Sequence, residues 1–203
     1  LTNQTRPKIR RSRALGVALT PKAAKYLENR PYPPGEHGRG RKQTSDYKTR
    51  LMEKQRLRFQ YDISEVQMRA AFDRANKHAG KTGDELVVDL ERRLDAFVLR
   101  AGFARTVYQA RQMVTHGHIE VNGGKVDKPS YRLKPDDVVA VRERSRTKPL
   151  FQVVQAGGFA AAETPRYIEA RLDKLMARLD RLPQRREVPV ICDEQLVVEY
   201  YSR

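Results

Sequence analysis

The sequence of 203 residues is long enough for one large or two small domains, each with its own core. Lysine and arginine number 41 against 25 acids, a net charge of +16. The partner is therefore expected to be a polyanion: nucleic acid, an anionic membrane surface or an acidic protein. The single cysteine, Cys192, excludes an internal disulfide and fits a reducing compartment. No apolar run approaches the ~20 residues that cross a bilayer, and the N-terminal residues lack a signal peptide's apolar stretch. The expectation is a soluble intracellular protein.

The charge is uneven. Residues 1–60 hold sixteen basic residues against four acids, which suits a basic arm lying on nucleic acid. Residues 1–43 read as that arm. Within it, RPYPPGEHGRGRKQ (30–43) can be neither helix nor strand for long, because prolines remove donors and glycines loosen the backbone. The arm is expected to order only against a partner. Ser45 or Thr44 then caps a helix, DYKTRLMEKQRLRFQ, that leaves Lys54, Arg56 and Arg58 largely free. Ser64-x-x-Gln67 is a capping box, with Ile63 and Met68 at hydrophobic-staple positions. Val66, Ala70, Phe72, Ala75 and Ala79 populate the helix it opens, and Gly80 ends it. Thr82-x-x-Glu85 opens DELVVDLERRLDAFVLRAG, whose Leu86, Leu90, Leu94, Phe97, Val98 and Ala101 recur at helical spacing up to a stop at Gly102.

Thr106-x-x-Gln109 is a further capping box. It opens a short helix that buries Val107, Ala110 and Val114 and ends at Gly117. HIEV alternates as a strand, Asn122-Gly123 is a hairpin turn, KPDD (134–137) turns again, and VVAVRE is a buried strand. Period alone makes 166–183 an amphipathic helix, and VPVICDEQLVVEYYSR reads as two β-rich runs about a turn at Asp193-Glu194.

His116-x-His118 is the only close histidine pair, with no cysteine or carboxylate cluster beside it, so no metal site and no cofactor are expected. Nucleophile and phosphate-loop motifs are lacking. Nucleic-acid binding fits better. The helix from 106 has a basic, amide-rich face, and its first backbone N–H groups can receive a phosphate. Arg105 stands at its start, Arg111 and Gln112 lie one turn along, and the hairpin brings His118, Asn122 and Lys125 to the same edge. His37 is a phosphate or base contact in the Pro/Gly segment. A short unit of this kind grips a backbone by shape, which favours folded RNA over a DNA major groove.

Residues 93–143, RLDAFVLRAGFARTVYQARQMVTHGHIEVNGGKVDKPSYRLKPDDVVAVRE, resemble the small α/β RNA-binding module of small-subunit ribosomal protein S-four. The same module occurs in some pseudouridine synthases, bacterial tyrosyl-tRNA synthetases and a heat-shock RNA-binding protein. Residues 33–61 and the closing EQLVVEYYSR (194–203) are similar to segments specific to the bacterial-type ribosomal family itself. The resemblance implies an α+β fold. It comprises a basic arm (1–43), a helical domain (44–91, joined by 190–203), and an RNA-binding module with a β extension (92–189) in which two short helices pack on an antiparallel sheet. It also replaces the helix at 166–183 by a β-hairpin whose first strand is 167–170.

The implied role is direct binding to small-subunit ribosomal RNA at a multi-helix junction in the 5′ domain, early in assembly. Ribosomal protein S-five, other small-subunit proteins and incoming mRNA would be neighbours, and decoding accuracy would be affected. Arg39, Arg41 and Lys42 fall in the stretch linked to mRNA. Arg92, Arg93, Thr106, Tyr108, Arg111, Gln112, His116 and Lys125 fall in the shared module. The remaining basic and aromatic candidates are Arg6, Lys8, Arg10, Arg11 and Arg13 in the arm, and Tyr47, Lys48, Arg50, Lys54, Arg56 and Arg58 on the helix after it. Some family members bind zinc through four N-terminal cysteines. This sequence has none there, so a non-zinc form held by hydrogen bonds with RNA is expected. Two rival readings are a free RNA chaperone or message repressor, and a pseudouridine synthase with Asp95 of RRLD as its catalytic acid.

Overall fold

The computed structural model describes residues 7–40, 44–157, 159 and 164–202. Along them run α1 (Lys8–Leu15), α2 (Pro21–Asn29), α3 (Asp46–Gln60), α4 (Glu65–Ala75), α5 (Thr82–Glu91), α6 (Leu94–Arg100) and α7 (Val107–Thr115). Strands β1 (Ile119–Val121), β2 (Gly124–Lys125) and β3 (Val138–Val141) follow, then α8 (Glu143–Arg146), α9 (Pro149–Gln155), β4 (Ile168–Arg171), β5 (Met176–Leu179) and α10 (Glu194–Tyr201). The fold is α+β. Two compact units divide it: one runs through Gly83 and resumes at Val190, the other is 84–189. The division falls inside α5, whereas the sequence reading drew its line after 91.

The first unit is helical. Prolines and glycines crowd only 31–40 of the arm, so the residues before them are free to coil. The sequence reading placed no helix there, yet α1 runs to a left-handed Gly16 at φ 68° and α2 carries Pro21 in its first turn, where no N–H is needed. Between 30 and 40 the only regular element is a 3₁₀ turn, Glu36–Arg39. Gly38 is obligatory in it: a Cβ would stand 2.1 Å from the Pro33 carbonyl oxygen. Ser45 caps α3, its hydroxyl accepting the Lys48 N–H at 3.3 Å. Ser64 and Gln67 form the expected reciprocal box on α4, and Ile63 and Met68 are both fully buried.

Three readings of this unit are corrected. Val66 is 79 % exposed, and α4 stops at Ala75, capped by Asn76, so its buried side is Met68, Ala71, Phe72 and Ala75. The cations of α3 are engaged. Lys54, 3 % exposed, and Arg58 share the Glu65 carboxylate at 2.8 and 3.0 Å, and Arg56 pairs with Glu53. The carboxylate shared by Lys54 and Arg58 arrives from α4, which periodicity along α3 alone does not reveal, whereas the partner of Arg56 lies one turn away on α3. The third concerns the tail, where the β-rich runs are a helix. Asp193 caps α10 by accepting the Leu196 N–H, and Val197 and Tyr201 bury one face of it. Arg50–Glu199 at 2.7 Å, Tyr201 hydroxyl to Glu65 at 2.7 Å and stacked Phe72–Tyr201 rings tie it to α3 and α4. Cap and packing override the β propensity of its valines and tyrosines.

The second unit begins with a broken helix. The helical spacing of 84–101 is real, but α5 ends at Glu91 and α6 starts at Leu94. Arg93 is extended (φ −64°, ψ 139°) and makes an antiparallel bridge with Arg132. Leu94 N–H donates to Tyr131 O, and Leu133 N–H to Arg92 O, both at 2.8 Å. Backbone partners 37 and 41 residues away replace the intrahelical bonds here.

The sheet is antiparallel throughout, in the order β2-β1-β3-β5-β4. The core joins Phe97, Val98, Ala110 and Val114 of α6 and α7 to Ile119, Val139, Val141 and Leu179 of the sheet, with Phe151 from α9. Asn122 and Gly123 both have positive φ (50° and 79°), as a type I′ turn requires. Residues 168–179 form the hairpin and not the helix of the periodicity reading. Leu175 supplies its reversal at φ 53°, a costly geometry for a branched residue, with its side chain fully buried.

Candidate nucleic-acid interface

Helix α7 positions Tyr108, Arg111 and Gln112 among the expected residues, with Thr106 and His116 at its two ends. Thr106 caps it by accepting the Gln109 N–H at 3.2 Å, but the Gln109 side chain reaches past Thr106 to the Arg105 N–H at 2.8 Å. The box thus spans one residue more than its motif, and it turns two amides inward that a phosphate would otherwise meet. Val107, Ala110, Met113 and Val114 are buried; Arg105, Gln112 and His116 are exposed, and Tyr108 and Arg111 half-buried. Gly117 (φ 66°) ends the helix and lets the Lys125 stem cross it, since a Cβ there would lie 2.8 Å from Lys125 Cε. Lys125 comes to the end of α7 in this way, and its ammonium pairs with Asp127 at 3.1 Å.

Beneath that face lies a buried charge network. The Asp95 carboxylate, 1 % exposed, accepts both Nε and Nη2 of Arg93 at 2.9 and 2.8 Å and the Ala96 N–H at 3.0 Å. Its Oδ2 also accepts Nη2 and Nε of Arg111 at 2.8 and 3.2 Å. Arg111 keeps 27 % of its side chain exposed. Arg93 is buried with the carboxylate, so of the two arginines only Arg111 reaches the surface. Arg92 is half-buried, its Nε donating to Leu133 O at 2.9 Å.

Other module residues are engaged internally. Asn122 donates to Asp137 and accepts the Val138 N–H, both at 2.9 Å, which pins its turn against β3. His118 is half-buried, with Nδ1 3.0 Å from Ser145 Oγ and its ring edge-on to Phe151. Burial, then Lys148, His116 and Arg144, hold its pKa below the usual imidazole value. Among the described residues no group of three or more His, Cys, Asp or Glu side chains is placed to hold a metal ion.

In the first unit Lys8, Arg10, His37, Tyr47 and Lys48 are exposed. Arg11 stacks on Phe59 at 4.6 Å. Arg13 and Arg39 both lie over the Tyr32 ring, at 4.9 and 4.7 Å. Arg13 also donates to Tyr32 O, and Arg39 to the Tyr32 hydroxyl at 3.1 Å, which lowers that phenol's pKa. Protein contacts therefore tie 31–39 to α1, where the sequence reading invoked RNA alone. Tyr32 was not among the expected site residues. Its signal was an aromatic set between cations in a segment otherwise poor in apolar groups. Arg6, Arg41 and Lys42 lie outside the described residues.

A capped basic helix beside a hairpin, on an antiparallel sheet, defines an RNA-binding module joined to a helical unit. The S4 domain family model matches residues 92–139, and that of the ribosomal protein S4/S9 N-terminal domain matches 3–91. Small ribosomal subunit protein uS4 of Streptomyces avermitilis is 72 % identical over the whole of both chains, and that of Streptomyces coelicolor 69 %. The protein of the same name from Paenarthrobacter aurescens is 58 % identical, again over both full lengths. The chain belongs to the uS4 family of ribosomal proteins. That membership answers the enzyme rival: the role is structural, and Asp95 is an anchor for two arginines.

Proposed function

We propose that this protein is a constituent of the cytoplasmic small ribosomal subunit that binds its ribosomal RNA directly, at a multi-helix junction in the 5′ domain, and nucleates assembly there. The observation that carries the RNA contact is Arg111, held half-exposed on capped α7 by a buried carboxylate inside an S4 domain. Arg105, Thr106, Tyr108, Gln112, His116 and Lys125 complete the grip. The basic segment 1–43, the helical part 44–91 with 190–203, and 92–189 act as three functional regions. The first lies along RNA, and its Arg39, Arg41 and Lys42 face incoming mRNA. Ribosomal protein S-five is a neighbour, and through these contacts the protein influences accuracy. The N-terminal region works without zinc: it has no cysteine, and Tyr32 with its two arginines closes it instead.

Binding of the full chain to a transcript of the small-subunit RNA 5′ domain, across a salt series, tests the reading. Several neutralised phosphates should make log affinity fall steeply with log salt. A slope near zero would refute the electrostatic grip. Sedimentation of washed small subunits separates this role from that of a free chaperone or message repressor: stoichiometric presence is expected.

A further inference from the structure

The S4 domain match stops at residue 139, but a cluster of cations lies just beyond it. Residues 142–148 read RERSRTK, four basic residues with one acid. Their backbone is fixed against the start of β1. Arg142 N–H donates to His118 O at 2.9 Å, and the Arg142 guanidinium reaches the Gly117 carbonyl at 3.5 Å. Ser145, 1 % exposed, anchors α8 through the 3.0 Å contact with His118 Nδ1. With Ser145 turned in, Arg144 and Lys148 project to solvent beside it. The His116 and His118 rings lie 6.1 Å apart at the same corner. Lys148, His116 and Arg144 are the groups whose charge acts on His118, each disfavouring its protonated form. No ion pair engages Arg144, Lys148 or His116 among the described residues. The one acid of the segment, Glu143, makes no ion pair with them, and cations left so gathered repel one another unless an anion joins them.

We propose that Arg144 and Lys148, from beyond the matched S4 domain, form with His118 and the neighbouring His116 a second phosphate-holding point for folded RNA, at the end of α7 away from Arg105. It rests on the RNA-binding reading above and extends it. With Arg105 at one end of a nine-residue helix and this corner at the other, the contacts are about 13 Å apart along the axis. That span suits two separate phosphates. His118 presents Nε2 to the site because Nδ1 is taken by Ser145. A phosphodiester there favours the imidazolium, so binding draws a proton onto His118.

The test uses the full chain with Arg144→Gln and Lys148→Gln together. Both side chains are exposed, so the melting temperature should match the parent. The 5′-domain transcript is expected to bind at least tenfold more weakly at low salt, with the log–log slope reduced by about one, the value for a single phosphate. The His118 ring signals, followed by NMR against pH, should titrate higher with the transcript bound than without it, and this rise should vanish in the double variant. If Arg111→Ala weakens binding while the double variant keeps parental affinity, slope and His118 titration, the second point is wrong and the main interface stands. If the parent chain fails to bind the transcript, the whole RNA reading falls.

Discussion

Asp95 and Arg111 are joined through a single oxygen: Oδ2 accepts two N–H groups from the arginine at 2.8 and 3.2 Å, with the carboxylate fully enclosed and the guanidinium partly outside. Arg93 grips both oxygens of the same carboxylate. The aspartate therefore neutralises one buried cation and aims a second. Asp95→Asn should destabilise the protein by about 3 kcal/mol or more, because Arg93 is left as a buried, uncompensated charge. Urea unfolding measures the loss, and an unchanged midpoint would contradict the network.

Arg111→Ala acts differently. Asp95 retains Arg93, so unfolding should shift little. RNA affinity should fall, and the salt slope should lose about one unit, as expected for one lost phosphate contact. Comparing the two variants by binding and by unfolding separates aiming from folding. A parental affinity for Arg111→Ala would remove the residue that carries the proposed interface.

Tyr32 holds Arg13 and Arg39 on one ring. Tyr32→Leu should loosen 31–40 without unfolding α3 or α4. Limited proteolysis then cuts this segment faster, while the melting temperature barely moves. Equal cleavage rates in parent and variant would show that the stacking does not hold the segment.

Asn122 uses both ends of its amide and sits in the left-handed region. Asn122→Ala strands the Val138 N–H and strains the turn, at a cost of about 1–2 kcal/mol. Asn122→Gly keeps the backbone freedom and loses only the hydrogen bonds, so it should fall between the two in urea unfolding.

Glu187 is hydrogen-bonded by Arg181 and by the Gln184 N–H, which together hold its carboxyl down at about 2 against an ordinary 4.5. A depressed acid stabilises the fold above its ordinary pKa, and the contribution fades as pH falls towards the folded value. Between pH 4.5 and about 2 the melting temperature of the parent should therefore drop more than that of Glu187→Gln. Parallel curves would mean that the pair contributes nothing.

Capping is the part of this fold most legible along the chain. Ser45, Ser64 and Thr106 each accept an N–H three residues on, because a cap is a local hydrogen bond. The Asn122-Gly123 hairpin is equally local. The surface of α7 was readable too, since apolar spacing marks the buried stripe and leaves Arg105, Gln112 and His116 outside it.

Distance in sequence decided the rest. Arg93 shows an exposed-looking charge in a row of charges, and only Asp95 and the bridge to Arg132 place it inside. Lys54 is buried because Glu65 meets it from another helix. The tail coils because Asp193 caps it and α3 covers it, although its residues favour strands. The hairpin at 168–179 depends on a buried Leu175 in a strained conformation that only surrounding packing can hold. By itself the sequence determined the strong basicity, the local starts and stops, and the family whose motifs it carries. Tertiary structure alone decided that Lys54 is buried and that Arg111 is held at the rim of a buried carboxylate, since an ion's place depends on where a counter-charge arrives, and Glu65 and Asp95 reach these two from other helices.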